Sequence, residues 1–104
     1  MSILDKLYQV IKDRALSDPQ DSYVASLYNK GTEKMAQKVG EEATETIIEA
    51  IKGDPEKLTE ESADLLFHLM VLWADQGITP QDVFAILESR FGTGGHDEKK
   101  GRTL

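Results

Sequence analysis

Five carboxylates stand out by type and spacing. Glu41, Glu42 and Glu45 form one cluster, and Glu61 and Asp64 a second. On a helix, at about 100° per residue, Glu41, Glu42 and Glu45 fall within one arc of roughly 100°. Lys34, Lys38 and Glu49 share that arc. Glu61 and Asp64 are three residues apart and His68 is four further on, so these three also share a side. Like charges one turn apart repel by roughly 0.2–0.5 kcal/mol per pair. Five of them gathered at one place need a compensating cation. An all-oxygen donor set suits magnesium, manganese or calcium, and not zinc or copper. No EF-hand loop is present, which argues against calcium sensing. Magnesium held by carboxylates usually serves phosphate chemistry.

A plainer reading exists for each group. Taken alone, the first cluster reads as a solvated helix face with Lys34 and Lys38 as partners. The second is harder to explain that way. Asp64 opens the run Asp64 to Trp73, which is apolar around nearly its whole circumference, so this helix is expected to be buried. A buried carboxylate needs a cation or hydrogen-bond donors, because an unpaired ionised one is costly. A lysine or arginine could satisfy Asp64, and His68 reads first as a hydrogen-bonded core histidine.

Helices must hold these residues. Ile3, Leu4, Leu7, Val10, Ile11 and Arg14 follow a three-four spacing that predicts a helix from Ile3 to about Leu16. Ser22 can cap a short helix through Asn29, closed by Gly31. Thr32 opens a long helix to about Lys52, with Val39, Ala43, Ile47, Ala50 and Ile51 expected to face the core. Gly53 stops it. Asp54 and Pro55 then supply an N-cap and a first-turn proline for a helix to about Gln76. Thr79-Pro80 repeats that start, and the last helix ends near Phe91. Fifteen residues separate Glu45 from Glu61, including the Gly53-Asp54-Pro55 turn, so the two acidic helices should be antiparallel neighbours with their carboxylates at one height. No strand pattern is present. The expected fold is all-α, with four to five helices. It forms one domain over residues 1–91, followed by a glycine-rich charged tail at 92–104 that is either frayed or a mobile basic lid.

Composition narrows the possibilities. A chain of 104 residues is the size of one domain. It contains no cysteine, which excludes disulfides, thiolate nucleophiles and zinc–thiolate or iron–sulfur sites. Two histidines are too few for a His-rich metal site. Nineteen acidic against twelve basic residues give a net charge of −7, which argues against nucleic acid as a partner. No apolar run is long enough to cross a bilayer, and Asp5 interrupts any leader-like start. No membrane partner and a cytoplasmic location are therefore expected.

The pattern Glu41-Glu42-Ala43-Thr44-Glu45, a spacer, then Glu61-Ser62-Ala63-Asp64 resembles the metal motif of MazG-like all-α nucleotide pyrophosphohydrolases. Ser22-Tyr23-Val24, Lys30-Gly31, Lys38-Val39-Gly40, Leu65-Leu66-Phe67-His68 and Arg90-Phe91 extend the likeness to the phosphoribosyl-ATP pyrophosphatase family, from about residue 3 to Arg102. Where Phe67 stands, that family often has Tyr. The resemblance implies hydrolysis of phosphoribosyl-ATP to phosphoribosyl-AMP and pyrophosphate, the second step of histidine biosynthesis, with magnesium. It implies Glu41, Glu42, Glu45 and Asp64 as metal ligands, and Glu61 as either a ligand or the general base. Lys30, Lys34 and Lys38 become candidate phosphate contacts, with pairing to the glutamates a turn away as the alternative; His68 becomes a candidate substrate contact. The cyclohydrolase that acts next is expected on a separate chain. A house-cleaning enzyme acting on free or damaged nucleoside triphosphates is the alternative activity, and a non-catalytic helical module the alternative class.

The apolar pattern also predicts a homodimer or a larger assembly of dimers. The 64–73 helix is apolar on nearly every face, and Ile3, Leu7, Val10, Ile11, Val83, Phe84, Ile86 and Leu87 add further stripes. One chain of short helices would leave much of this surface in water. A twofold bundle would bury it.

Overall fold

The computed structural model describes residues 2–91, which form five helices and no strand. They are α1 (Ile3–Arg14), α2 (Tyr23–Lys30), α3 (Thr32–Lys52), α4 (Pro55–Asp75) and α5 (Pro80–Phe91). The all-α expectation holds. Boundaries differ from the sequence reading by a residue or two, most at α1, which ends at Arg14 and not at Leu16. The tail at 92–104 lies outside the described residues.

Local chemistry sets each start. Ser2 Oγ accepts a hydrogen bond from the Asp5 amide, and the Asp5 carboxylate accepts one from the Ser2 amide. This reciprocal cap satisfies donors that the first turn of α1 cannot. Ser22 caps α2 through the Ala25 amide, and Asp54 caps α4 through the Lys57 amide. Thr79 and Asp82 cap α5 reciprocally, at 2.9 and 3.2 Å. Gly31 ends α2 and starts α3 at φ 99°, ψ 173°, a conformation essentially reserved for glycine. No loop therefore separates these helices. Gly53, left-handed at φ 74°, reverses the chain between α3 and α4.

The α3–α4 hairpin, with 21 residues in each arm, is the main helix pairing of the fold. The core lies at one end of it. Tyr8 and Ile11 of α1, Val24 and Leu27 of α2, Met35 of α3, and Met70 and Val71 of α4 are buried together. α1 and α2 pack around that end, and α5 packs chiefly on α1, where Gln81 bonds Asp5.

Two expectations need correcting. Val39 and Ala43 are half-buried, but Ala50 is exposed, and Ile47 and Ile51 are 58% and 81% exposed. Among the described residues only α4 packs along the turn-proximal half of α3, because the core gathers at the other end, around Met35. The 64–73 segment is not buried all round either: Asp64 and Leu66 are exposed, and only His68, Met70 and Val71 are fully buried. α3 and α1 pack on this helix while α5 turns away to α1, which leaves a strip of α4 open.

Candidate active site

The hairpin brings Glu42 and Glu45 of α3 against Glu61 of α4. One carboxylate oxygen from each lies within 4.8 Å of the other two. Glu42 is buried, Glu61 half-buried and Glu45 exposed, so the group opens to solvent on one side. Glu42 Oε2 and Glu61 Oε2 are shielded from water and have no hydrogen-bond partner among the described residues. Glu49 Oε1, one turn further along α3, is in the same condition.

The proton affinities follow from this crowding. A carboxyl–carboxyl contact with Glu45, then loss of water, then the charges of Glu45 and Glu42 push the Glu61 carboxyl up to about 7. Burial raises Glu42, and contact with Glu45 raises it further, against a lowering contribution from His68. Carboxylates with orphaned inner oxygens and elevated proton affinity are short of positive charge. A hard divalent cation fits this donor set, because it would supply the charge and occupy the oxygens that no protein donor reaches.

Other sequence-derived candidates stand around this group. Glu41 lies outside the three-oxygen group, where Gln37 (2.6 Å) and Lys38 (3.2 Å) bond its two oxygens and hold its carboxyl below the usual range. It borders an open groove with Gln37, Gly40, Thr44 and Glu45. Asp64 is exposed and acts electrostatically on Glu42, but it lies outside the three-oxygen group. Lys38 bridges Glu41 and Glu42, at 3.2 and 3.9 Å, which is the pairing alternative for this residue. Lys34 also acts on Glu41, and Lys30 sits in the last turn of α2.

His68 is 6% exposed, and both of its ring nitrogens are engaged by the protein. Nδ1 lies 2.7 Å from the Asp64 carbonyl, which can only accept, so Nδ1 carries the hydrogen. In the neutral imidazole Nε2 then accepts, and the Tyr23 hydroxyl 2.9 Å away is its donor. Tyr23, which no spacing rule singles out, thereby reaches the site from α2. Lys38, Glu42, Glu41 and Asp64 all act on its hydroxyl.

The model of the family described as phosphoribosyl-ATP pyrophosphohydrolase matches residues 4–91. The chain belongs to the phosphoribosyl-ATP pyrophosphohydrolase family. It is 54% identical over 101 residues to a phosphoribosyl-ATP pyrophosphatase of Azospirillum brasilense, covering 97% of this chain and 91% of that one. Proteins of the same name from Rhodospirillum rubrum (52% identical; 96% and 86% covered) and Geobacter sulfurreducens (51%; 96% and 93%) are similarly close. The span shared with the phosphoribosyl-ATP pyrophosphohydrolase family takes in nearly all of the five helices, and with them every carboxylate and lysine discussed above.

Proposed function

We propose that this chain hydrolyses phosphoribosyl-ATP to phosphoribosyl-AMP and pyrophosphate, the second step of histidine biosynthesis. The observation that carries the reading is the Glu42–Glu45–Glu61 group, with its orphaned inner oxygens, on a chain matched by this family over residues 4–91. Glu42, Glu45 and Glu61 would hold magnesium, with Asp64 and Glu41 at its margins. When bound, the ion neutralises phosphate oxygens and lowers the pKa of the attacking water.

The remaining work falls to the chain itself. Its net charge of −7 and these carboxylates repel a polyphosphate, so the acidic group cannot receive substrate without a cation. Lys38 stands at the edge of the group, where its ammonium can move from Glu41 to a phosphate oxygen. Gln37 keeps one Glu41 oxygen bonded when it does. Burial of Glu42 excludes water from the back of the site, which limits attack to the open side.

No helix of the described residues is long and apolar enough to cross a membrane. A biosynthetic hydrolase of this kind works in the cytoplasm, and in this reading its product passes to a cyclohydrolase. The uncovered apolar residues of α3 and α5 support a homodimer. Pyrophosphate release from phosphoribosyl-ATP, compared with ATP and other free nucleoside triphosphates, tests the activity. Preference for phosphoribosyl-ATP is expected, and equal or faster turnover of free triphosphates would favour the house-cleaning activity instead.

A further inference from the structure

Tyr23 combines exposure with fixation. The residue is 50% exposed, yet three contacts hold it. Its hydroxyl is hydrogen-bonded to His68 Nε2 at 2.9 Å. Its ring stacks on Phe67, with centroids 6.3 Å apart and planes 23° from parallel. It also meets the His68 imidazole edge-on at 5.7 Å and 83°. These supports are themselves fixed. Phe67 packs against the core and meets His68 edge-on at 5.1 Å, and His68 is pinned through Nδ1 to the Asp64 carbonyl. The side chain therefore keeps one rotamer without being buried.

The hydrogen-bond assignment limits what Tyr23 can offer a ligand. With a neutral imidazole its only O–H is directed inward at His68, which leaves no proton for a phosphate. What remains accessible is an aromatic face beside the carboxylate group. Such a face suits a flat aromatic partner, because offset stacking needs shape and apolar area and no exchange of protons. The nucleotide reading supplies a flat partner covalently linked to the phosphates.

We propose that Tyr23 contacts the substrate by stacking the purine base on its exposed ring face, while the phosphates lie at the Glu42–Glu45–Glu61 group. This rests on the reading of that group as the hydrolytic site. Base–aromatic stacking corresponds to a KM rise of roughly 5- to 150-fold when the ring is removed. Tyr23→Leu is expected to raise KM for phosphoribosyl-ATP within that range, with a much smaller change in kcat. Tyr23→Phe keeps the ring and is expected to stay within about 3-fold of the parent.

Two inhibitors separate stacking from damage to the site. AMP carries the base, and pyrophosphate does not. In Tyr23→Leu, inhibition by AMP should weaken in step with KM while inhibition by pyrophosphate stays unchanged. Equal weakening of both, or no change in either, overturns the proposal. So does a loss of oligomer mass in Tyr23→Leu, which would make the ring an interface residue. Failure of the hydrolytic reading is visible separately, as absence of pyrophosphate release by the unmodified protein. Calorimetric titration with AMP then still decides the stacking, and absence of AMP binding to the unmodified protein overturns it.

Discussion

In the proposed site, Glu42, Glu61 and Lys38 differ in where the fold puts their charges. Glu61 has its proton affinity raised from the ordinary 4.5 to about 7. Between those values the folded protein holds a proton there that the unfolded chain has released. That proton favours the fold at pH 5, and its contribution is lost as the pH rises through 7. In the metal-free protein, the stability contributed by this residue should therefore fall from pH 5 to pH 8. Glu61→Gln should remove that part of the slope in thermal unfolding curves. Magnesium at about 100 times its Kd should add roughly 2.7 kcal/mol at pH 8 and less at pH 5, where protons compete. An equal gain in Glu61→Gln would show that the ion binds elsewhere. Glu42→Gln should lower kcat/KM by roughly 10²-fold or more, since even outer partners of metal ligands are worth about 10–100-fold. Asp64→Asn reports whether the exposed Asp64 joins the bound state, with a comparable loss expected. Near-normal turnover of both variants at limiting magnesium would remove the assignment. Lys38→Ala should raise KM by roughly 10-fold or more, as expected for loss of a charged hydrogen bond, and leave magnesium binding at least as tight. Unchanged kinetics would leave Lys38 as the partner of Glu41 alone.

At the scale of elements, two glycines set the geometry that lets the carboxylates meet. Gly53 permits the hairpin, and Gly31 lets α2 pass into α3 without a loop, which keeps Tyr23 within reach of α4. A Cβ at either position would meet no atom within 4 Å, so substitution there acts through the backbone alone. At Gly31 the conformation is nearly closed to other residues, and Gly31→Ala should cost about 1–3 kcal/mol. At Gly53 the left-handed helical region is milder, and Gly53→Ala should cost about 1–2 kcal/mol. Chemical denaturation of the two variants checks the order. A larger loss at Gly53 would mean that the α2–α3 junction relaxes into a different turn.

For the whole molecule, the open question is what covers the apolar surface left by a core confined to one end. Ile47, Ile48 and Ile51 on α3, and Ile86, Leu87 and Phe91 on α5, are all exposed in the single chain. Ile78, Val83, Ile86, Leu87 and Arg90 line an open, mainly apolar groove beside them. A symmetric pair would bury such surface at roughly 1.5–3 kcal/mol per large side chain. Sedimentation at low micromolar concentration should give a mass of at least twice 11.6 kDa. The double substitution Ile47→Glu with Ile51→Glu should raise the dissociation constant by roughly 10²-fold or more. An active species near 11.6 kDa would refute the dimer.

The helices were legible in the sequence because their ends are written locally. Ser22, Asp54 and Thr79 act on amides three residues away, and Gly53 and Pro55 act on their own backbone. Part of the acidic cluster was legible too: a turn-length spacer sets Glu42 and Glu45 of one helix against Glu61 of the next, while Glu41 and Asp64 stand outside that group. Which of the carboxylates would be shielded was not. The apolar run after Asp64 suggested a buried aspartate, whereas the fold buries Glu42 and leaves Asp64 exposed. Burial depends on what lies opposite, and the Tyr23–His68 contact beside Glu42 joins residues 45 apart in the chain, beyond any helical period. The apolar face of α3 was visible as a stripe at Ile47 and Ile51. Periodicity marks a face for burial without naming its cover, and only the path of α1, α2 and α5 decided that no other helix among the described residues would provide it.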